Sequence, residues 1–125
     1  MKILFVSMLA FSFAGVANAQ PAASGEIGYS QGSLGYDALI AGDNGRAIAQ
    51  IMADEKVSRK DPARLINLGQ AYARTGRIAE AAQLFQAAIE SRDQIDLILA
   101  DGTVMNSREA AKRALAKLQS RVASR

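Results

Sequence analysis

The chain has no cysteine and no histidine among its 125 residues. Without cysteine there is no disulfide, no thiolate metal ligand and no thiol nucleophile. Without histidine the commonest general base near neutral pH and the commonest metal ligand are both missing. A Ser-His-Asp mechanism and a histidine-rich metal site are therefore excluded by inventory. Tryptophan is absent as well. Carboxylates are present, but Asp37, Asp43, Asp54, Glu55, Glu80, Glu90, Asp93, Asp96, Asp101 and Glu109 are scattered over expected turns and helix surfaces, with no recurring pair. Isolated carboxylates of this kind read as helix caps or surface charges. No phosphate-binding loop or dinucleotide fingerprint occurs, and Asp43-Asn44-Gly45 lacks the remaining ligand spacing of a calcium loop. These absences point away from catalysis, and no cofactor or metal is expected.

The first residues have a different character. Lys2 supplies a positive start, Ile3 to Val16 is almost wholly apolar, and Ala17-Asn18-Ala19 presents small residues where a signal peptidase reads them. The apolar run is shorter than the roughly 20 residues needed to span a bilayer. Residues 1–19 are thus expected to be a signal peptide cut between Ala19 and Gln20, leaving a protein in the periplasm or fully secreted. No second apolar stretch is long enough to span, so stable membrane insertion is not expected.

Past the leader, residues 20–32 read as a flexible tether broken by Pro21, Gly25, Gly28 and Gly32. Residues 33–125 read as one small domain. Its main signal is a recurrence at a spacing of 34: Leu34, Gly35, Gly42, Ala47 and Ile51 align with Leu68, Gly69, Gly76, Ala81 and Phe85. A period of this length suggests stacked helix pairs. In the first unit, 28–61, a helix is expected from about Ser33 to Ala41, then a turn at Gly42-Asp43-Asn44-Gly45, then a helix with Ala47, Ile48, Ile51 and Met52 on one side. The second unit, 62–95, is better marked. Asp61-Pro62 is a helix start, Leu65, Leu68, Gly69, Tyr72 and Ala73 form a stripe, and Gly76 ends it. Ile78, Ala81, Ala82, Phe85, Ala88 and Ile89 form the stripe of the partner helix. Gly69 and Ala81 are small where the two helices would cross. Gly69→Leu is therefore expected to overpack the contact, and Arg74→Ala to be nearly silent.

Between 95 and 105 the period shifts. Ile95, Leu97 and Leu99 alternate with their neighbours, and Asp101-Gly102 is a tight-turn signal. Ile98 spoils the alternation, leaving a short β-hairpin, an extended connector and a helical continuation as readings. A last helix, 106–123, is expected to be capped by Asn106, with Glu109 completing a reciprocal box. Its inward stripe would be Ala111, Ala114, Leu115, Leu118 and Val122. Its other face carries Arg108, Lys112, Arg113, Lys117 and Arg121. From Asn106 to Arg125 there are six basic residues and one acidic, against a net charge of +3 for the whole chain. The basic face reads as a solvated capping helix, a protein-binding face, or a contact for anionic lipid or polymer. Export argues against nucleic acid.

Leu65-Ile66-Asn67-Leu68-Gly69-Gln70-Ala71-Tyr72, followed by Gly76, Ala81, Phe85 and Ala88, resembles the tetratricopeptide-repeat superfamily. The layout also resembles small exported repeat proteins of Gram-negative bacteria. The resemblance implies an all-α fold of antiparallel helix pairs with a C-terminal capping helix. It also implies a non-catalytic interaction module or adaptor whose partner is a protein or peptide held on the concave side. By resemblance that side includes Tyr36, Ala63, Ile66, Asn67, Gln70, Ala73 and Arg74, though the same residues fit a plain solvated face. Ile66 and Gly32 stand where a lysine of the family's carboxylate-gripping subgroup would be sought. The alternative function is a structural or homo-oligomeric protein that self-associates through the 95–105 ribbon or the terminal helix.

Overall fold

The computed structural model describes residues 28–99 and 101–125. The expected signal peptide, its cleavage point and residues 20–27 of the expected tether lie outside the described residues. The described chain is mostly helical, with five helices and one two-stranded sheet: α1 (Tyr36–Ile40), α2 (Asn44–Ala53), α3 (Pro62–Arg74), α4 (Ile78–Glu90), β1 (Asp96–Ile98), β2 (Val104–Asn106) and α5 (Ser107–Ala123). Among the described residues no helix is long and apolar enough to cross a membrane.

Local chemistry sets most boundaries. Asp43 caps α2 by accepting from the Arg46 N–H. Asp61 caps α3 by accepting from Ala63 and Arg64, with Pro62 in the first turn, and Asn106 caps α5 through Arg108. Each carboxylate or amide oxygen satisfies backbone donors that the helix itself leaves open. Glu109 does not complete the expected reciprocal box. Its carboxylate meets Arg113 one turn later, at 3.3 Å, while Asn106 is also the last residue of β2, paired with Asp96. The first helix is shorter than the expected 33–41. Gly35 precedes it in the left-handed region at φ 62°, which a right-handed helix cannot continue through.

The core is built around α3, which α1, α2, α4 and α5 all contact. Tyr72 and Ala73 at its C-terminal end pack with Ile78 and Ala81, and Leu65 and Ile66 near its start pack with Ala88 and Ile89. The two helices therefore run antiparallel. What allows their approach is Gly69: a Cβ there would lie 2.6 Å from Cε1 of Phe85. The ring is 1% exposed, so it would have to shift within the core. The Phe85 ring lies directly on Gly69. A second glycine makes a close contact between α1 and α2. Gly35 faces α2, where a Cβ would stand 3.1 Å from Ile51 Cγ1 and from the Ala47 carbonyl oxygen. Gly35 lies ahead of its helix in the left-handed region and Gly69 lies inside α3, so the two close contacts are made from different backbone conformations.

Helix α5 lies on α4 and α3 through Ala111 and Leu118, both buried, with Ala114 and Leu115 partly so. Val122 is not part of that stripe; it is 50% exposed. Met52 likewise faces solvent, at 52%. Arg108 does not sit on the open basic face. Its Nε donates to the Ile89 carbonyl and its Nη2 to that of Ser91, placing a cation on the negative end of α4. The hairpin forms, with Leu97 opposite Met105 and Ile98 opposite Val104. It is fastened by Ser107, fully buried, whose hydroxyl donates to Gln94 and accepts from the Ile95 N–H.

Gly69→Ala tests the α3–α4 contact. Alanine is intrinsically better in a helix by about 1 kcal/mol, yet overpacking against Phe85 should outweigh this and leave a net loss of about 1–3 kcal/mol in urea unfolding. A more stable variant would contradict the packing.

Candidate functional site

Hydrogen bonds along α3, from its cap to its last turn, hold the segments around the site. Tyr29, inside the segment expected to be a tether, donates from its hydroxyl to Asp61 at 2.9 Å, and Asp61 uses its other oxygen to cap α3. Ser33 donates to Asp54 at 2.8 Å. Asp54 also accepts from the backbone N–H groups of Lys56 and Val57. The Val57 bond first, then the Ser33 hydroxyl, hold its carboxyl below the ordinary aspartate range. Arg64, 4% exposed, turns back from α3 so that its Nη1 donates to the carbonyls of Asp54 and Val57. Asn67 donates to the Leu34 carbonyl at 2.9 Å, and Arg74 to the Leu39 carbonyl at 2.9 Å. Residues 29–39 are in this way stitched along α3, and α1 stands as a wall beside it.

The opposite wall is the ribbon. Between them lies a cleft of about 210 Å³. Tyr36, Ala63, Ile66, Asn67, Gln70 and Arg74, six of the residues named from sequence, line it together. Tyr36, Ala63 and Ile66 are nearly buried and make its floor. Ala73 is not in it; that side chain is 5% exposed, packed with Ala81, Phe85 and Leu118. It lines a second pocket of about 120 Å³ between α3 and α5, which Gln70 and Arg74 also reach. The two pockets are therefore contiguous along one face of α3.

Sequence reasoning missed the other half of the cleft: Leu39 and Ile40 from α1, and Leu97, Ile98 and Leu99 from the ribbon. Ile40 is 54% exposed. Its exposure has no periodicity signal in so short a helix. The ribbon's contribution required knowing where a hairpin folds back, which no local pattern carries.

The backbone of β1 adds a second kind of group. Leu99 N–H donates to the Thr103 carbonyl and Ser107 N–H to that of Ile95. Hydrogen-bonded pairs alternate along an antiparallel ladder, so residues 95, 97 and 99 turn their polar groups toward β2. Asp96 and Ile98 turn theirs the other way. No third strand covers that edge among the described residues. Leu97 and Ile98 of β1 line the cleft and no residue of β2 does, so the cleft lies beside the strand that has the uncovered edge.

Of the side-chain donors expected to meet a ligand, Asn67 and Arg74 each commit one N–H to the fold. The Gln70 amide makes no hydrogen bond to the described residues and stays half-buried between the two pockets. The cleft thus offers apolar walls, one amide and a strand edge. Among the described residues no three carboxylates converge as a metal site requires. Compared with protein-family models, with curated proteins and with solved structures, the chain matches none of them.

Two measurements check these anchors. Arg74→Ala should not be silent, as its position on an exposed face suggested; losing the bond to Leu39 should cost about 1 kcal/mol in urea unfolding. An unchanged midpoint would mean that this bond does not hold α1. Burial first, then the hydrogen bond to Asp61 and its charge, push the Tyr29 hydroxyl up to about 12. The folded protein then keeps a proton that the unfolded chain releases near the ordinary value of about 10. Stability conferred by Tyr29 is complete below that value and is lost as pH rises through about 12. The stability difference between wild type and Tyr29→Phe should therefore shrink over this range, and a difference independent of pH would contradict the assignment.

Proposed function

We propose that this chain is an exported, non-catalytic adaptor with a tetratricopeptide-like fold, whose α1–α3–β1 cleft binds an extended polypeptide segment of a partner protein. The observation that carries the reading is the uncovered β1 edge beside an apolar-walled cleft. A strand edge can add a peptide through main-chain hydrogen bonds, while neighbouring pockets take alternate side chains. The size of the cleft fits this use. At about 210 Å³ it is smaller than the several hundred typical of sites that enclose a small molecule. It would instead take one or two side chains of a chain that runs through it. The repeat reading draws support from the close glycine contacts, Gly35 on Ile51 and Gly69 on Phe85. The missing histidine and cysteine favour holding over chemistry.

The same strand edge also fits a second copy of the chain, so self-association is the competing reading. Peptides selected from a random library on the folded protein should shift the backbone amide signals of Ile98 and Gln70, and Ile40→Asp should abolish their binding. The protein should sediment as a monomer at every concentration tried. Binders that map to other surfaces, or a dimer that Ile98→Pro disperses, would overturn the proposal.

A further inference from the structure

We infer that the segment bound in the cleft is acidic at one end, its carboxylates entering the pocket between α3 and α5; this rests on the cleft being a peptide site. Arg74 from the last turn of α3, and Lys117 and Arg121 one turn apart on α5, line that pocket. None of the three has a carboxylate within salt-bridge distance among the described residues; the ion pairs there are Arg46–Asp43, Arg77–Glu80 and Arg113–Glu109. Arg74 keeps guanidinium donors beyond the one given to Leu39. The floor of the pocket is apolar, formed by Phe85 and Leu118. All three cations are exposed, so their pull on a carboxylate is screened by water and salt. A carboxylate would relieve the mutual repulsion of the three cations and accept their hydrogen bonds.

Other basic positions differ. Arg108 is used on the end of α4. The larger cavity of about 530 Å³ near the α3 start places Arg59, Lys60 and Arg92 beside Glu90 and Asp93, so its charges are mixed. The α3–α5 pocket joins a one-signed cluster to the apolar cleft, through Gln70 and Arg74. A concave pocket of about 120 Å³ suits a side-chain carboxylate better than a flat anionic membrane.

Library selection on wild type and on the Lys117→Gln/Arg121→Gln variant tests this. Wild type should enrich peptides with an apolar stretch followed by Asp or Glu. The variant should keep the apolar preference and lose the acidic one. The best acidic peptide should bind the variant about tenfold more weakly, and wild type should lose affinity toward about 0.5 M salt, where screening is nearly complete. The variant should unfold at the same urea concentration as wild type or a higher one, because a purely structural role would lower it. Wild-type binders without acidic enrichment would overturn the inference and leave the peptide site standing, whereas the absence of any binder would remove both. Tighter binding to phosphatidylglycerol vesicles than to any selected peptide, lost in the variant, would assign the cations to a membrane surface and overturn the inference as well.

Discussion

The contact of the Phe85 ring with the bare backbone at Gly69 is the constraint on which the other packing depends. It sets how closely α4 lies on α3, and that spacing decides where α5 can seat Leu118 and Ala111. A domain this small has few large buried side chains, so a single ring carries a large share of the core; truncating a buried phenylalanine typically costs about 3–5 kcal/mol. Because small residues let neighbours approach on several sides, α3 becomes a shared support. Its last open face is the one that carries the cleft.

From that support the site follows by hydrogen bonding more than by apolar burial. Tyr29, Asn67, Arg64 and Arg74 each reach across from or to α3 and bind a carbonyl or a cap on the neighbouring segment. On the far side, Ser107 and Gln94 lock the ribbon where α4 ends and α5 begins. Fixing both walls leaves the β1 edge uncovered and pre-formed. A preorganised edge spares a ligand part of the cost of ordering its site. The same exposed edge would be an aggregation risk. Its shortness, three residues, and the charge of Asp96 limit that risk.

How much of this was legible in the sequence depended on range. Asp43, Asp61-Pro62 and Asn106 announce helix starts because a cap acts within three residues, and Asp101-Gly102 marks a turn for the same reason. The stripes of α3 and α4 are readable because a period shows which face is apolar. It does not show what covers that face. Hence α3, stitched and packed on several sides, buries Arg64 as well as its stripe, while Val122 and Met52 continue their patterns into solvent. Asn67 and Arg74 were expected on a binding face by resemblance; each also donates to a carbonyl more than 30 residues away, a pairing no local pattern encodes. Six of the seven residues named for the binding face line one cleft, yet half of that cleft comes from α1 and a hairpin that had no stated place in it.

The most direct test of the central contact is spectroscopic. In the folded protein the α protons of Gly69 should show nuclear Overhauser contacts to the Phe85 ring protons. The same α protons should have chemical shifts displaced by the ring current, and both effects should vanish in Phe85→Leu. If Gly69 shows a random-coil shift and no contact with that ring, then the close crossing of α3 and α4, and the support it gives the cleft, are wrong.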